Sequence, residues 1–381
     1  MKVALINNSP NNIATGRYIF SLYRSLNKLN KKNTVFDHFL FDNERKALCK
    51  LNGEEKVIVK LRKIPFLENE KFIWSEFLFD CRAARFIPSF YDIYHISSQD
   101  LSVLTYYKRF SSKKTVITVH DLFYATHPDN IFRKIISMPL YKGITGADAI
   151  ITVSNYTKNQ LVKNWNISHE NIFTTYLGVD RDTFRKTNEY DCLYDKYGLK
   201  RNCRYILHIG SDVGRKNVGT LIRSFYKLKN EFNDVDDVVL IKINKLSNRN
   251  IVLINKLDLN NDIRVLDHVS EYELPLFYNF ADVFVFPSIA EGFGFPPLEA
   301  MSCGTPVVAS NSTAIPEVVG DGGIMVDPYD VDGFASAIYE LLNNKNLRTK
   351  MIKRALRQSK KFTWDRCADE TFKVYEHLKA A

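Results

Sequence analysis

The sequence predicts a two-domain α/β protein, and three observations carry that expectation. The chain has 381 residues, more than one common domain holds, so two domains of roughly 180 residues each are expected. Apolar runs that read as buried strands alternate with helical stretches, without long strand-only runs, which favours parallel βαβ units. Several of these runs end in loops of glycine and charged residues, and in an open α/β sheet ligands bind at the carboxyl ends of the strands.

The first such run is Lys2 to Ile6, a short strand. A polar loop, Asn7 to Thr15, leads into Gly16-Arg17-Tyr18 and a helix to about Leu29. Gly16 is the permissive position there, free to let the backbone approach a ligand. Arg17 reads either as a phosphate ligand or as a surface residue. Thr115 to Val119 alternates as a strand and ends in His120-Asp121. A lone histidine is often a satisfied structural residue, but the end of a strand places this one at the ligand edge. Asp121 either orients it or meets a second substrate. Ser154 reads as the cap of the helix that follows. The polar stretch Lys186 to Asn202 lacks periodicity and reads as a linker, dividing a first domain, 1–185, from a second, 186–362. Residues 363–381 form a closing helix.

In the second half, the strand Tyr205 to Ile209 runs into a glycine-containing loop with Arg215, Lys216 and Asn217, then an amphipathic helix, Thr220 to Lys229. Cations at a helix start oppose the helix dipole, and a bound anion would resolve that conflict. Ala281 to Phe286 reads as another buried strand. Glu291-Gly-Phe-Gly-Phe-Pro-Pro-Leu-Glu299 follows, two carboxylates eight positions apart across a glycine, aromatic and proline turn. Gly292 and Gly294 allow positive φ and close backbone approach. Proline suits the first turn of a helix from Pro297 to Cys303, and Gly304 stops it. Free amides of the loop and helix start favour an anion. Glu299 reads either as a solvated first-turn glutamate or as an acceptor for paired sugar hydroxyls.

The segment Glu291 to Ser310 resembles the E-x7-E region of the retaining glycosyltransferases of family 4, which have the GT-B fold. That resemblance implies two Rossmann-like domains with parallel sheets facing across a cleft, and a C-terminal helix crossing back to the N-terminal domain. Other motifs are similar too. His208 to Asn217 resembles the family's G-x(n)-R-K-N element, whose basic pair neutralises the nucleotide diphosphate. Gly16-Arg17-Tyr18 resembles a G-I-G-R-Y element facing the donor phosphates, with Ala14 where the first glycine stands. His120-Asp121 resembles the H-D motif of mannosyltransferase-like members, whose histidine contacts the transferred sugar. Val153 to Thr157, Leu177 to Phe184 and Thr363-Trp364 match further elements that read as architecture, with Trp364 a packing anchor.

The resemblance implies a hexosyltransferase that moves a hexose, mannose first, from a nucleotide diphosphate sugar to a polysaccharide or glycolipid. Its catalytic group would be His120, Glu291, Arg215 and Lys216. Gly16, Gly292, Phe293, Gly294, Phe295, Leu298 and Glu299 would bind the donor, with Glu299 on the ribose and Glu291 plus the amides of 292–295 on the sugar. Asp121 and Arg17 would serve the acceptor. GDP-mannose is the first donor, UDP-sugars the alternative, with base recognition near Asp267 to Ser270 and Lys245. No cofactor and no metal are implied, since Arg215 and Lys216 take the place of a divalent ion on the diphosphate. The acidic cluster Asp234 to Asp237 reads as a connector. An epimerase of the same fold would lack these motifs in this arrangement, and a non-catalytic nucleotide-sugar-binding subunit would have lost Glu291, Arg215, Lys216 and His120.

Six cysteines without any C-x-x-C pair argue against zinc and disulfides. A reducing cytoplasm is the expected compartment. The first residues form a strand rather than a signal peptide, and no apolar run approaches the roughly 20 residues that span a bilayer. The formal net charge is +10, and it lies wholly in residues 1–185, with 27 Lys+Arg against 17 Asp+Glu; the rest holds 26 of each. Lys31-Lys32, Arg62-Lys63, Lys108-Arg109 and Lys113-Lys114 contribute. With Phe72, Trp74, Phe77, Phe79, Phe86 and Phe90 interleaved, this half suits peripheral contact with an anionic membrane at the inner face of the plasma membrane; the plain alternative is a solvated basic surface over core aromatics. No nucleic-acid motif accompanies the charge.

Overall fold

The structure, a computed structural model, describes residues 1–10, 14–52, 54–61, 73–123 and 141–380. It divides into two compact units, Met1–Gly178 with Trp364–Ala381, and Val179–Thr363. The closing helix, Trp364–Ala380, therefore belongs to the first unit.

The first unit is built on one sheet. Its strands are β1 (Lys2–Asn7), β2 (Val35–Asp42), β3 (Ala47–Asn52), β4 (Glu54–Lys60), β5 (Ile93–Ile96), β6 (Lys114–Val119), β7 (Ala149–Thr152) and β8 (Ile172–Thr174). Their order is β4-β3-β2-β1-β5-β6-β7-β8. Pairing is parallel from β2 through β1 to β8. Val3 to Ile6 are wholly buried, as expected of a strand covered on both faces. Trp364 meets Tyr18 of the helix Ala14–Lys28, ring centroids 6.4 Å apart, the packing anchor expected of it.

The edge of this sheet corrects the expectation of uninterrupted βαβ units. β2, β3 and β4 follow one another directly and pair antiparallel. The β2–β3 link is only Asn43 to Lys46, far too short for the crossover that parallel pairing needs. Asp42 closes it by accepting from the Arg45 amide at 2.8 Å.

The second unit holds six parallel strands: β9 (Arg204–Ile209), β10 (Val238–Ile243), β11 (Ile263–Leu266), β12 (Val283–Phe286), β13 (Val307–Ser310) and β14 (Gly323–Val326). The order is β11-β10-β9-β12-β13-β14. The chain winds outward from β9 to β11, returns, and winds the other way from β12. The junction of β9 and β12 is thus the topological switch point, where an open α/β sheet leaves a crevice at its carboxyl edge.

The stretch expected as a linker is instead folded onto this unit. Cys192–Tyr197 is helical and closes on Gly198. Tyr190 and Tyr194 lie edge-on to Phe280, at 5.8 and 5.2 Å, and Tyr197 to Phe277 at 5.1 Å. Aromatic residues at irregular spacing hid a packing face behind a polar composition.

Candidate functional site

Two loops meet at the switch point of the second unit. After β9, Gly214–Lys216 forms one 3-10 turn. Asn217 then adopts the left-handed conformation and donates to the carbonyls of Pro287, 3.1 Å, and Pro328, 2.6 Å. That side chain ties the basic turn to the loop after β12. The backbone does the same, since the Ile289 amide donates to the Arg215 carbonyl at 2.7 Å.

Glu291 lies where these ties converge. Lys216 Nζ donates to Glu291 Oε1 at 2.7 Å and Arg215 Nη1 donates to Oε2 at 3.1 Å. Lys216 and Glu291 are both buried, 9% and 8% exposed. Burial by itself would raise the Glu291 carboxyl, but the Lys216 ammonium and the Arg215 guanidinium outweigh it and hold the group below its ordinary value. Lys216 also sits over the Phe286 ring, 5.1 Å from its centroid. The Glu291 amide donates to Thr313 Oγ1 at 2.9 Å, a support that no sequence motif announced. Both Glu291 oxygens are thus engaged by cations, where sugar hydroxyls alone were expected. Each carboxylate oxygen retains a further lone pair for a hydroxyl.

The helix that follows spans Phe295–Cys303, with Gly294 before it at φ 123° and Gly304 closing it at φ 79°. A residue with a Cβ would be strained at Gly294. Gly292 is not among the residues of positive φ, contrary to expectation. Among the described residues no acceptor pairs with the amides of Gly292, Phe293 and Gly294. The helix start adds fewer donors than expected, because Pro296 and Pro297 carry no N–H and the Leu298 amide donates to the Gly294 carbonyl at 3.3 Å. Leu298 is wholly buried, and Phe293 packs on Phe362 with centroids 5.9 Å apart. Their side chains are core.

Glu299 is buried, 4% exposed, which removes the solvated reading. Its Oε2 accepts from the Tyr278 hydroxyl at 2.9 Å, so Tyr278 orients it. The connector Asp234 to Asp237 behaves as read, with Asp237 paired to Arg204 at 2.6 Å. Among the described residues no group of three or more His, Cys, Asp or Glu side chains is placed to hold a metal ion.

In the first unit, Gly16 lies in the opening turn of the helix Ala14–Lys28 rather than in the loop before it. A Cβ there would stand 1.8 Å from the Pro10 carbonyl oxygen, so the close approach of that loop demands glycine. Arg17, in the same turn, is half-buried. His120 sits just beyond β6. Its amide donates to Gln99 Oε1 at 3.0 Å and its Nε2 lies 2.9 Å from the Ser97 carbonyl. The carbonyl can only accept, so Nε2 carries the proton and Nδ1 is left as an acceptor. Burial pushes the ring down to about 4, keeping it neutral at physiological pH. Tyr18 lies edge-on to it at 5.0 Å. Asp121 accepts from the Phe123 amide at 3.2 Å, closing a short turn, while Ser97 and Gln99 do the orienting of His120. Ser154 caps its helix by accepting from the Thr157 amide, as read.

Comparison with known proteins shows the family. Residues 15–183 match the family described as Glycosyltransferase Family 4, and residues 193–358 match Glycosyl transferases group 1. The chain is 33% identical over 283 residues to O-antigen chain mannosyltransferase B of Escherichia coli, spanning 70% of this chain and 71% of that one. The chain belongs to glycosyltransferase family 4. This glycosyltransferase is also 31% identical over 230 residues to O-antigen chain mannosyltransferase RfbU of Salmonella typhimurium, across 59% of this chain and 60% of that one. Among solved structures it superposes on sucrose-phosphate synthase of Thermosynechococcus elongatus with a TM-score of 0.77 at 18% identity, covering 100% and 99% of the two chains. Anabaena HepE, solved with UDP and glucose, gives 0.72 at 15% identity over 100% of each. The fold is GT-B, and the enzyme is a hexosyltransferase of mannosyltransferase-like type.

The basic first unit of the glycosyltransferase is less uniform than its composition. Phe79 is core, whereas Phe86 and Phe90 are 47% and 56% exposed. Arg62, Lys63 and Phe72, and the side chains of Trp74, Phe77, Lys108 and Arg109, lie outside the described residues. No described helix is long and apolar enough to cross a membrane.

Proposed function

We propose that this glycosyltransferase transfers mannose, with retention, from GDP-mannose to a growing glycan or lipid-linked acceptor. The observation that carries the reading is the Lys216–Glu291–Arg215 triad at the switch point. Two cations held by one carboxylate keep a net positive charge, preorganised for an anion. The donor diphosphate takes the outward faces of Arg215 and Lys216, assisted by the amides of residues 292–294. Glu299, aligned by Tyr278, takes the ribose diol. The free lone pairs of Glu291 take sugar hydroxyls.

The acceptor hydroxyl attacks the anomeric carbon on the face the phosphate leaves. The C1–O bond to the β-phosphate breaks as the new glycosidic bond forms. The acceptor proton passes to a phosphate oxygen, and GDP departs. The fixed cations stabilise charge as it grows on the diphosphate, so no divalent ion is required and EDTA leaves turnover intact. Neutral His120, with Nδ1 as acceptor, binds a sugar hydroxyl. Gly16 is assigned to donor binding, and Arg17 and Asp121 to the acceptor. The relatives named above as mannosyltransferases support the sugar. The excess of cations in residues 1–185 supports a peripheral site at the anionic inner face of the plasma membrane.

A thermal-shift screen of GDP, UDP and ADP tests the donor, because a ligand of the native state raises its melting point. A shift with GDP above the others is expected. A larger shift with UDP would reassign the donor to a UDP-sugar.

A further inference from the structure

Lys242, near the end of β10, is 1% exposed and takes no part in the chemistry above. Its ammonium donates to three carbonyls: Gly210 at 2.7 Å, Ile243 at 2.8 Å and Asn244 at 2.9 Å. The first belongs to the loop that carries Arg215 and Lys216, the second is the last residue of β10, and the third opens the loop after it. Asp212 makes a second tie between the same loops. It accepts from the Ser247 amide and hydroxyl, both at 2.7 Å, and from Asn250 Nδ2 at 2.8 and 2.9 Å.

The tie to Gly210 has a consequence at the mouth of the crevice. In a trans peptide the C=O and the next N–H point opposite ways. With the Gly210 carbonyl turned onto Lys242, the Ser211 amide faces away from it. Gly210, at φ 151°, is in a conformation open mainly to glycine. Among the described residues no acceptor pairs with the Ser211 amide. Hydrogen bonding to a cation polarises the peptide and strengthens the amide as a donor. A buried ammonium costs desolvation that an apolar side chain would avoid, so its retention under this loop points to use of the charge.

We propose that Lys242 is a positioning residue of the donor site: its buried ammonium turns the Gly210–Ser211 peptide so that the Ser211 amide meets the nucleotide diphosphate, and adds positive potential beneath it. The inference rests on the donor reading above. Burial pushes Lys242 down to about 8, against the opposing charge of Asp212. The other groups facing it are His208, its register neighbour on β9, which burial holds neutral to about 3, and Lys216 beyond it. The Lys245–Asp267 pair, 4.0 Å apart, is exposed at the rim. The positive charge is nearly complete at pH 7, half lost at about pH 8 and mostly lost at pH 9, so diphosphate affinity falls as pH rises through that value.

Calorimetric titration of GDP, with guanosine as control, tests this at pH 7 and pH 9 on wild type, Lys242→Met and Lys242→Arg. Wild type is expected to lose about tenfold in GDP affinity across the interval beyond any change seen with guanosine, as removal of one nearby charge implies. Lys242→Arg, always charged, should show no such loss, and Lys242→Met should bind GDP weakly at both values. Ionisation of the terminal phosphate of GDP runs the other way and would tighten binding, and ionisation of the guanine ring is common to GDP and guanosine, so the control removes it. Wild-type affinity that is flat or rising, or Lys242→Met binding GDP as wild type does, overturns the proposal. A wild type that binds neither GDP nor UDP overturns the donor reading first.

Discussion

Lys216 and Glu291 are 75 positions apart in the chain and 2.7 Å apart in space, joined under the carboxyl edge of β9 and β12. Breaking such a buried pair from one side leaves the other charge uncompensated. Glu291→Ala is therefore expected to destabilise the second unit by about 3 kcal/mol and to cut turnover at the same time. Chemical denaturation and steady-state rates would check this. A variant of unaltered stability would mean that Lys216 finds another partner at no cost.

Gly16→Ala has its sign decided by the structure. In an open helical turn, alanine would stabilise by about 1 kcal/mol relative to glycine. Here the new Cβ meets the Pro10 carbonyl oxygen at 1.8 Å, so the loop must move. Lower melting temperature and lower activity are expected together. A more stable, fully active Gly16→Ala would contradict the close approach of that loop.

Acid should loosen the protein before its carboxylates titrate. His38, His95 and His208 are wholly buried, and desolvation holds each at about 3. In the unfolded chain each binds a proton near 6.5. The unfolded state therefore binds more protons below that value, and stability falls as pH drops from 6.5 towards 3. At pH 5 each ring accounts for about 2 kcal/mol. A melting temperature unchanged between pH 7.5 and pH 5 would show that these rings are charged in the fold.

Glu299→Ala is expected to weaken binding of the free nucleotide more than it changes the choice among sugars. Tyr278→Phe, which removes the donor that orients Glu299, should do the same to a smaller degree. Unchanged nucleotide affinity in Glu299→Ala would exclude the ribose role.

Much of this was legible in the chain before its structure. The loop from Glu291 to Glu299 could be placed because proline fixes the backbone and glycine frees it, and they stand together at a helix start. The basic turn could be placed because two cations there oppose the helix dipole. Lys242 could not, since a lysine within an apolar strand reads as an outward residue; only the carbonyls around it show why it points inward. Tyr278 and Thr313 lie in segments without a motif, yet they orient Glu299 and Glu291. The β2–β4 run was missed although the chain carries a hairpin signal, Asn52-Gly53, between the residues of β3 and β4.

The most direct test of the central claim is the phosphate dependence of nucleotide binding in wild type and Lys216→Ala, measured by titrating GDP and GMP into each. Wild type should prefer GDP over GMP. Lys216→Ala should lose most of that preference, with turnover down by a factor of ~100 or more, the usual cost of removing a preorganised charge. Equal preference for GDP in the two proteins, with turnover unchanged, would contradict a diphosphate site built on Lys216, Arg215 and Glu291.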